Sequence, residues 1–183
     1  SAFACQGEAE ADHVRENAGF VVTRHGVVVI DTTRTLADAL WVYRQIRALT
    51  EKRVAYVINT HFHLDHVFGN QVFRSPIIAT ELERQRMASL MTREWSPEGL
   101  ARQIREYAVP QDLQGLRIVL PDITFSDCLT LHMGDLELEL IRLGGHTPGS
   151  FVVYVPQEEV LYIGDLLFVG RYHILVARPS SSS

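Results

Sequence analysis

Thr60-His61-Phe62-His63-Leu64-Asp65-His66 places three imidazoles and one carboxylate within six residues. Borderline nitrogen and hard oxygen donors in that mixture suit Zn²⁺, Fe²⁺ or Mn²⁺. His61 and His63 are two apart, so an extended segment sends both toward one ion, while Asp65 and His66 fall on the following turn and can aim at a second. One short loop can therefore serve two metals. The ordinary alternative is an exposed polar loop with incidental histidines, but that reading leaves two further segments unexplained. These are Leu143-Gly144-Gly145-His146-Thr147-Pro148-Gly149-Ser150 and Tyr162-Ile163-Gly164-Asp165. Glycines beside His146 allow tight turns near an ion, Pro148 fixes the exit of the turn, and Thr147 or Ser150 can orient a ligand from behind. Asp165 follows apolar and aromatic residues, so its carboxylate should emerge at a strand end, where it can bridge two cations. Alone, His146 and Asp165 would each read as ordinary turn residues; their order and placement beside the first cluster make them ligands.

Elements able to position these groups are readable along the chain. Gly19-Phe20-Val21-Val22-Thr23 and Val27-Val28-Val29-Ile30-Asp31, two β-rich runs around Arg24-His25-Gly26, predict a hairpin. Residues 35–49 carry Leu36, Leu40, Val42, Tyr43, Ile46 and Leu49 at close to a 3.6 period, with Thr35 able to cap, which predicts an amphipathic helix. Residues 53–60 are mostly apolar and β-rich, the pattern of a strand buried on both faces, and run straight into the histidine cluster. A short strand is expected at 76–80, and a charged helical stretch at 81–107 is broken at Ser96-Pro97 into two helices that could form a lid. Strands follow at 128–133, 136–140, 151–155 and 160–163, with Glu137 and Glu139 facing solvent. Asp31, at the hairpin's end, can accept a hydrogen bond from a ligand histidine or from the loop. Asn70 reads as a residue that holds the loop. Arg171 and Tyr172 either line the pocket or end a strand, and His13, His25 and His132 fall on surface segments.

Composition sets the frame. At 183 residues the chain fits one domain over 1–183, with 180–183 a flexible tail. Hydrophobic residues at 46% and charged residues at 21% are ordinary for a globular protein. Seventeen Lys and Arg against 22 Asp and Glu, a net −5, disfavour the electrostatic footprint of a nucleic-acid binder, so a small-molecule substrate is expected. No apolar run reaches the ~18 residues of a membrane span. Cys5 and Cys128 lack Cys-x-x-Cys spacing and could pair, stay free or fill core space.

These motifs resemble the metallo-β-lactamase-fold superfamily, whose pattern is His-x-His-x-Asp-His, a Gly-His-Thr-x-Gly turn and a metal-bridging Asp. The resemblance runs from about residue 17 to 172 and looks like a generic glyoxalase II-like hydrolase branch. It implies an α/β fold, an αββα sandwich of two mixed sheets flanked by helices, with the site at the edge between the sheets. It further implies that His61, His63 and His146 bind a first metal, that Asp65 and His66 bind a second, and that Asp165 bridges them. Aspartate rather than cysteine at the bridge argues against antibiotic hydrolysis as the main role. The expected activity is hydrolysis of a small ester, thioester, lactone or amide by zinc-bound hydroxide, with two zincs and with iron or manganese as alternatives, and with Asp65 steering the hydroxide's proton. The family's last ligand, a His several tens of residues beyond the bridge, has no counterpart in the 18 residues after Asp165; His173, eight residues on, is too near to match. The expectation is thus a domain whose C-terminal part is missing. Two other readings follow: a mononuclear iron persulfide dioxygenase using His61, His146 and Asp165, and a non-catalytic metal binder.

Overall fold

The computed structural model describes residues 1–5, 17–106 and 115–167. Its first sheet has six strands in chain order: β1 (Ala2–Cys5), β2 (Ala18–Thr23), β3 (Gly26–Ile30), β4 (Val54–Ile58), β5 (Ile77–Thr80) and β6 (Ile123–Phe125). β1 to β3 are antiparallel, closed by the expected hairpin with Thr23 opposite Gly26. From β3 to β6 every pairing is parallel, so each return needs a helical crossover. α1 (Leu36–Leu49) supplies the first, and Thr35 caps it by accepting from the Asp38 amide. The short helices α2 (Leu64–Val67) and α3 (Asn70–Phe73) supply the second. The third is made by α4 (Glu81–Met91) and α5 (Pro97–Glu106), which part at the expected break.

The second sheet has the order β10-β9-β8-β7, formed by β7 (Cys128–His132), β8 (Glu137–Arg142), β9 (Phe151–Val155) and β10 (Val160–Tyr162). The expectation of two mixed sheets needs one adjustment, because all described pairings here are antiparallel. Short hairpin connections leave no room for the crossover that a parallel neighbour requires. Alternation in β8 buries Leu138 and Leu140 and leaves Glu137 and Glu139 half-buried at the outer face.

Two apolar layers hold the sheets. Val21, Val28, Ile30, Ile58 and Ile78 of the first sheet meet Leu138, Leu140, Phe151 and Val153 of the second. On the first sheet's other face Val27, Val29, Val57 and Ile77 pack under Ala39, Val42 and Ile46 of α1 and Phe73 of α3. β3 and β4 are buried on both faces, which is why they read as unbroken apolar runs. The described residues thus build the helix, sheet and sheet layers of the expected sandwich. Parallel alignment brings the C-terminal ends of β3, β4 and β5 to one edge, and there the Phe151 amide donates to the Thr60 carbonyl, joining the sheets. Cys128 is a free, exposed thiol. His13, Arg171, Tyr172, His173 and the tail at 180–183 lie outside the described residues. No helix among the described residues is long and apolar enough to cross a membrane.

Candidate metal centre

The loop leaving β4 is pinned from below before any ligand is presented. Asp31, just past β3, adopts φ +59, a left-handed conformation that aspartate tolerates better than most residues. Its buried carboxylate accepts from the Thr60 amide and the Thr60 hydroxyl, both at 2.8 Å, and from His66 Nδ1 at 2.9 Å. Thr32 donates its amide to the His66 carbonyl, and the Gly69 amide donates to the Thr33 carbonyl. Asn59 Nδ2 also donates to the His66 carbonyl, and Asn59 and Asn70 exchange side-chain hydrogen bonds at 2.9 and 3.0 Å. Asp31 and Asn70 thus have the supporting roles expected of them.

This scaffold sets the tautomers. Thr60 Oγ1 spends its proton on Asp31, so toward His61 Nδ1, 3.3 Å away, it can only accept. His66 Nδ1 likewise gives its proton to Asp31. Both histidines aim Nε2 into the site and are held from behind through Nδ1, the arrangement of a ligating histidine.

Around those nitrogens the chain gathers two donor groups. His61, His63 and His146 form the first, and His61, His66 and Asp165 the second. His63 Nδ1 lies 3.1 Å from His61 Nε2 and 2.8 Å from His146 Nε2. Asp165 faces both sides: Oδ2 is 3.6 Å from His146 Nε2 and 4.0 Å from His61 Nε2, and Oδ1 is 3.2 Å from His66 Nε2. Asp65 Oδ2 completes the second side, 3.5 Å from His66 Nε2. Two ligand atoms on a tetrahedral ion with bonds of ~2.0–2.1 Å lie ~3.3 Å apart, close to most of these separations. Asp65 and His66 sit on α2 rather than on an irregular turn; five of the six ligand candidates fall in the two donor groups, and Asp65 stands beside them against His66.

The electrostatics divide the site into two halves. Burial, then the imidazoles of His66, His63 and His146, drives the His61 pKa far down, so its ring is neutral. Burial and His146 also lower His63, against the pull of Asp65. His66 goes the other way: burial opposes its charge, but Asp31, Asp165 and Asp65 outweigh burial and hold its pKa well above the usual imidazole value. A proton on His66 Nε2, or an ion in its place, offsets the two carboxylates that face it. Burial also opposes the Asp65 charge, yet the His66 hydrogen bond prevails and keeps its pKa below normal. Neutral imidazoles on one side and carboxylates on the other fit divalent transition metals.

A residue invisible to motif reading also enters here. Glu83, in the first turn of α4, is 1% exposed, and its Oε1 accepts from Thr147 Oγ1 at 2.5 Å. Burial pushes its carboxyl up to about 7. Thr80-Glu81-Leu82-Glu83 has the Thr-x-x-Glu form of a capping box, the one signal that marks the position, but that pattern speaks only of a helix start. Phe62, His63, Leu82, Arg86 and Pro148 line, with Glu83, a mostly apolar cavity of 510 Å³ beside the first donor group.

Comparison with known proteins gives the lineage. A protein of Aquifex aeolicus described as uncharacterized is 30% identical over 136 residues, covering 70% of this chain and 58% of that one. A hydroxyacylglutathione hydrolase of Pelagibacter ubique is 26% identical over 149 residues, covering 79% and 51%. The chain spans about half the length of these curated relatives. A solved metallo-beta-lactamase from Pontibacter korlensis shares the fold with TM-score 0.65 at 22% identity, over 90% of this chain and 67% of that one. Residues 11–178 match the family profile described as "Metallo-beta-lactamase superfamily". From that match over nearly its whole length, the chain belongs to the metallo-beta-lactamase superfamily, a group that typically binds metal ions and includes hydrolases.

Proposed function

We propose that the chain carries a metal-dependent hydrolase site for small ester, thioester, lactone or amide substrates, with zinc as its metal and a thioester as the first candidate. The observation that carries this reading is the convergence of His61, His63 and His146 on one point, with Asp165 turned toward both that group and His66. His61, His63 and His146 would hold one ion, Asp65 and His66 a second, and Asp165 would lie between them. When bound, such ions supply Lewis acidity, bringing the pKa of a coordinated water toward ~7 and polarising a carbonyl.

The remaining work falls to the chain. Asp65 is one-third exposed, so an ionised, acceptor-only carboxylate borders the space where a water would attack. It orients that water by accepting a hydrogen bond from it. Phe62, Leu82 and Pro148 offer apolar walls to an acyl group, and Arg86 lies 5.4 Å from the Phe62 ring centroid at the same cavity. The water oxygen bonds to the carbonyl carbon, the carbon–sulfur, carbon–oxygen or carbon–nitrogen bond breaks, and one water proton leaves on the thiol, alcohol or amine while the other stays with the carboxylic acid product. The name of the Pelagibacter relative, a hydrolase of an acylated glutathione, supports placing thioesters first.

The test is thiol release from S-acyl thioesters by zinc-loaded full-length chain, followed by esters, lactones and amides. Hydrolysis above the chelator-treated background, reduced by ~10² or more in Asp65→Asn with zinc still bound, is expected. No turnover on any of the four classes would overturn the proposal. A single bound iron with oxygen consumption on a persulfide would put the dioxygenase reading in its place.

A further inference from the structure

We infer that Glu83 is a positioning residue, one carboxyl that locks the two ligand-bearing loops of the first donor group together and sets how tightly that group holds its ion. The inference rests on reading His61, His63 and His146 as metal ligands.

Glu83 stands three residues after the α4 cap, Thr80, whose hydroxyl accepts from the Glu83 amide. A glutamate at that position ordinarily reaches back to the cap's own N–H. Here the carboxyl instead accepts a hydrogen bond from the hydroxyl of Thr147, the residue following His146. The Glu83 side chain also lines one cavity with Phe62 and His63 of the other ligand loop and with Gly149. Glu83 therefore stands between both loops. Thr80 Oγ1 adds a bond to the Gly149 carbonyl at 3.0 Å. Within the His146 turn, Thr147 donates its amide to Ser150 Oγ at 2.9 Å, and the two hydroxyl oxygens lie 2.8 Å apart. Packing leaves no slack, since a Cβ on Gly149 would run into both Glu83 Oε1 and Thr80 Oγ1.

Helix stability alone does not explain the carboxyl. Among the described residues its Oε2 is buried and meets no hydrogen-bond partner, a cost that an apolar side chain of similar size would avoid. What an apolar residue could not do is accept from the Thr147 hydroxyl. These contacts fix where His63 Nδ1 and His146 Nε2 stand, and those atoms come from residues 83 positions apart in the chain.

The test uses the full chain with Zn²⁺ alone, competed against a chromophoric chelator. Glu83→Gln is expected to weaken the tightest Zn²⁺ site ~10–100-fold while the metal-free variant stays fully folded at the assay temperature by circular dichroism. Thr147→Val, which opens the same contact from the other side, should weaken binding to the same extent, and the double variant should lose no more than either single one. Affinity within twofold of the parent in a folded variant, or single losses that multiply in the double, would overturn the role. An affinity loss that merely tracks a lost melting temperature would assign Glu83 to the fold and overturn it as well. Should Glu83→Gln fail to fold, Thr147→Val carries the same test with the same limits. Because the readout is metal affinity, a chain that binds Zn²⁺ as expected yet hydrolyses nothing counts against the hydrolase and leaves this role standing.

Discussion

Replacing Asp31 by Asn changes no heavy-atom shape and tolerates the same φ of +59, so its effect isolates charge and hydrogen-bond polarity. One Asp31 oxygen accepts from the Thr60 amide, and the other accepts from the Thr60 hydroxyl and His66 Nδ1. An amide group can accept on one of these sides only. With its NH₂ toward His66 it donates to Nδ1, the ring proton moves to Nε2, and the nitrogen aimed at Asp65 and Asp165 can no longer ligate. With its NH₂ toward Thr60 it opposes the backbone N–H, and the whole His loop shifts. A buried hydrogen bond to a charged group is worth about 1.5–3 kcal/mol, so one lost acceptor translates to about 10–100-fold in affinity for an ion at His66. Chelator competition with Zn²⁺ on parent and Asp31→Asn, at equal folded fraction by circular dichroism, reads this directly. Affinity within threefold of the parent for every equivalent bound would refute the tautomer argument.

Two more outcomes follow from the same geometry. A Cβ on Gly69 would meet the Thr32 carbonyl and Ala39, so Gly69→Ala should cost about 1–3 kcal/mol in denaturant unfolding without a change in slope. Glu83 supplies a pH signature: its folded pKa of about 7 lies above the ordinary 4.5, so the fold favours the protonated carboxyl. That contribution is complete below about 4.5 and is lost as pH rises through about 7, a difference of roughly 3 kcal/mol. In chelator, the melting temperature of the parent relative to Glu83→Gln should fall by about 6–12 °C from pH 5 to 8, and a constant difference would contradict the assignment.

Legibility in the sequence tracked how local each determinant is. His61, His63, Asp65 and His66 share one short loop, so residue type and spacing expose them, and the Gly-rich turn does the same for His146. α1 was legible from its period and the Thr35 cap, and β3 and β4 from their doubly buried apolar runs. β1 and β6 were not, because four and three residues carry too little pattern and gain strand character only from their neighbours. β6 is fixed in part by Asp122, whose carboxylate accepts from the Ile77 amide across the sheet, a contact no local pattern announces. Asn59 and Glu83 were missed for the same reason. Each acts through residues distant in the chain, Asn59 on Asn70 and Glu83 on Thr147, and nothing in its own neighbourhood distinguishes it from an ordinary strand end or helix cap.

The central claim is that these six side chains form a metal site, and metal content tests it most directly. Elemental analysis of freshly purified full-length chain, without added metal, should find about two zinc ions per chain, falling to one or fewer in His146→Ala and in His61→Ala. Metal-free protein that also fails to take up added zinc, or metal content unchanged by both substitutions, would contradict the account.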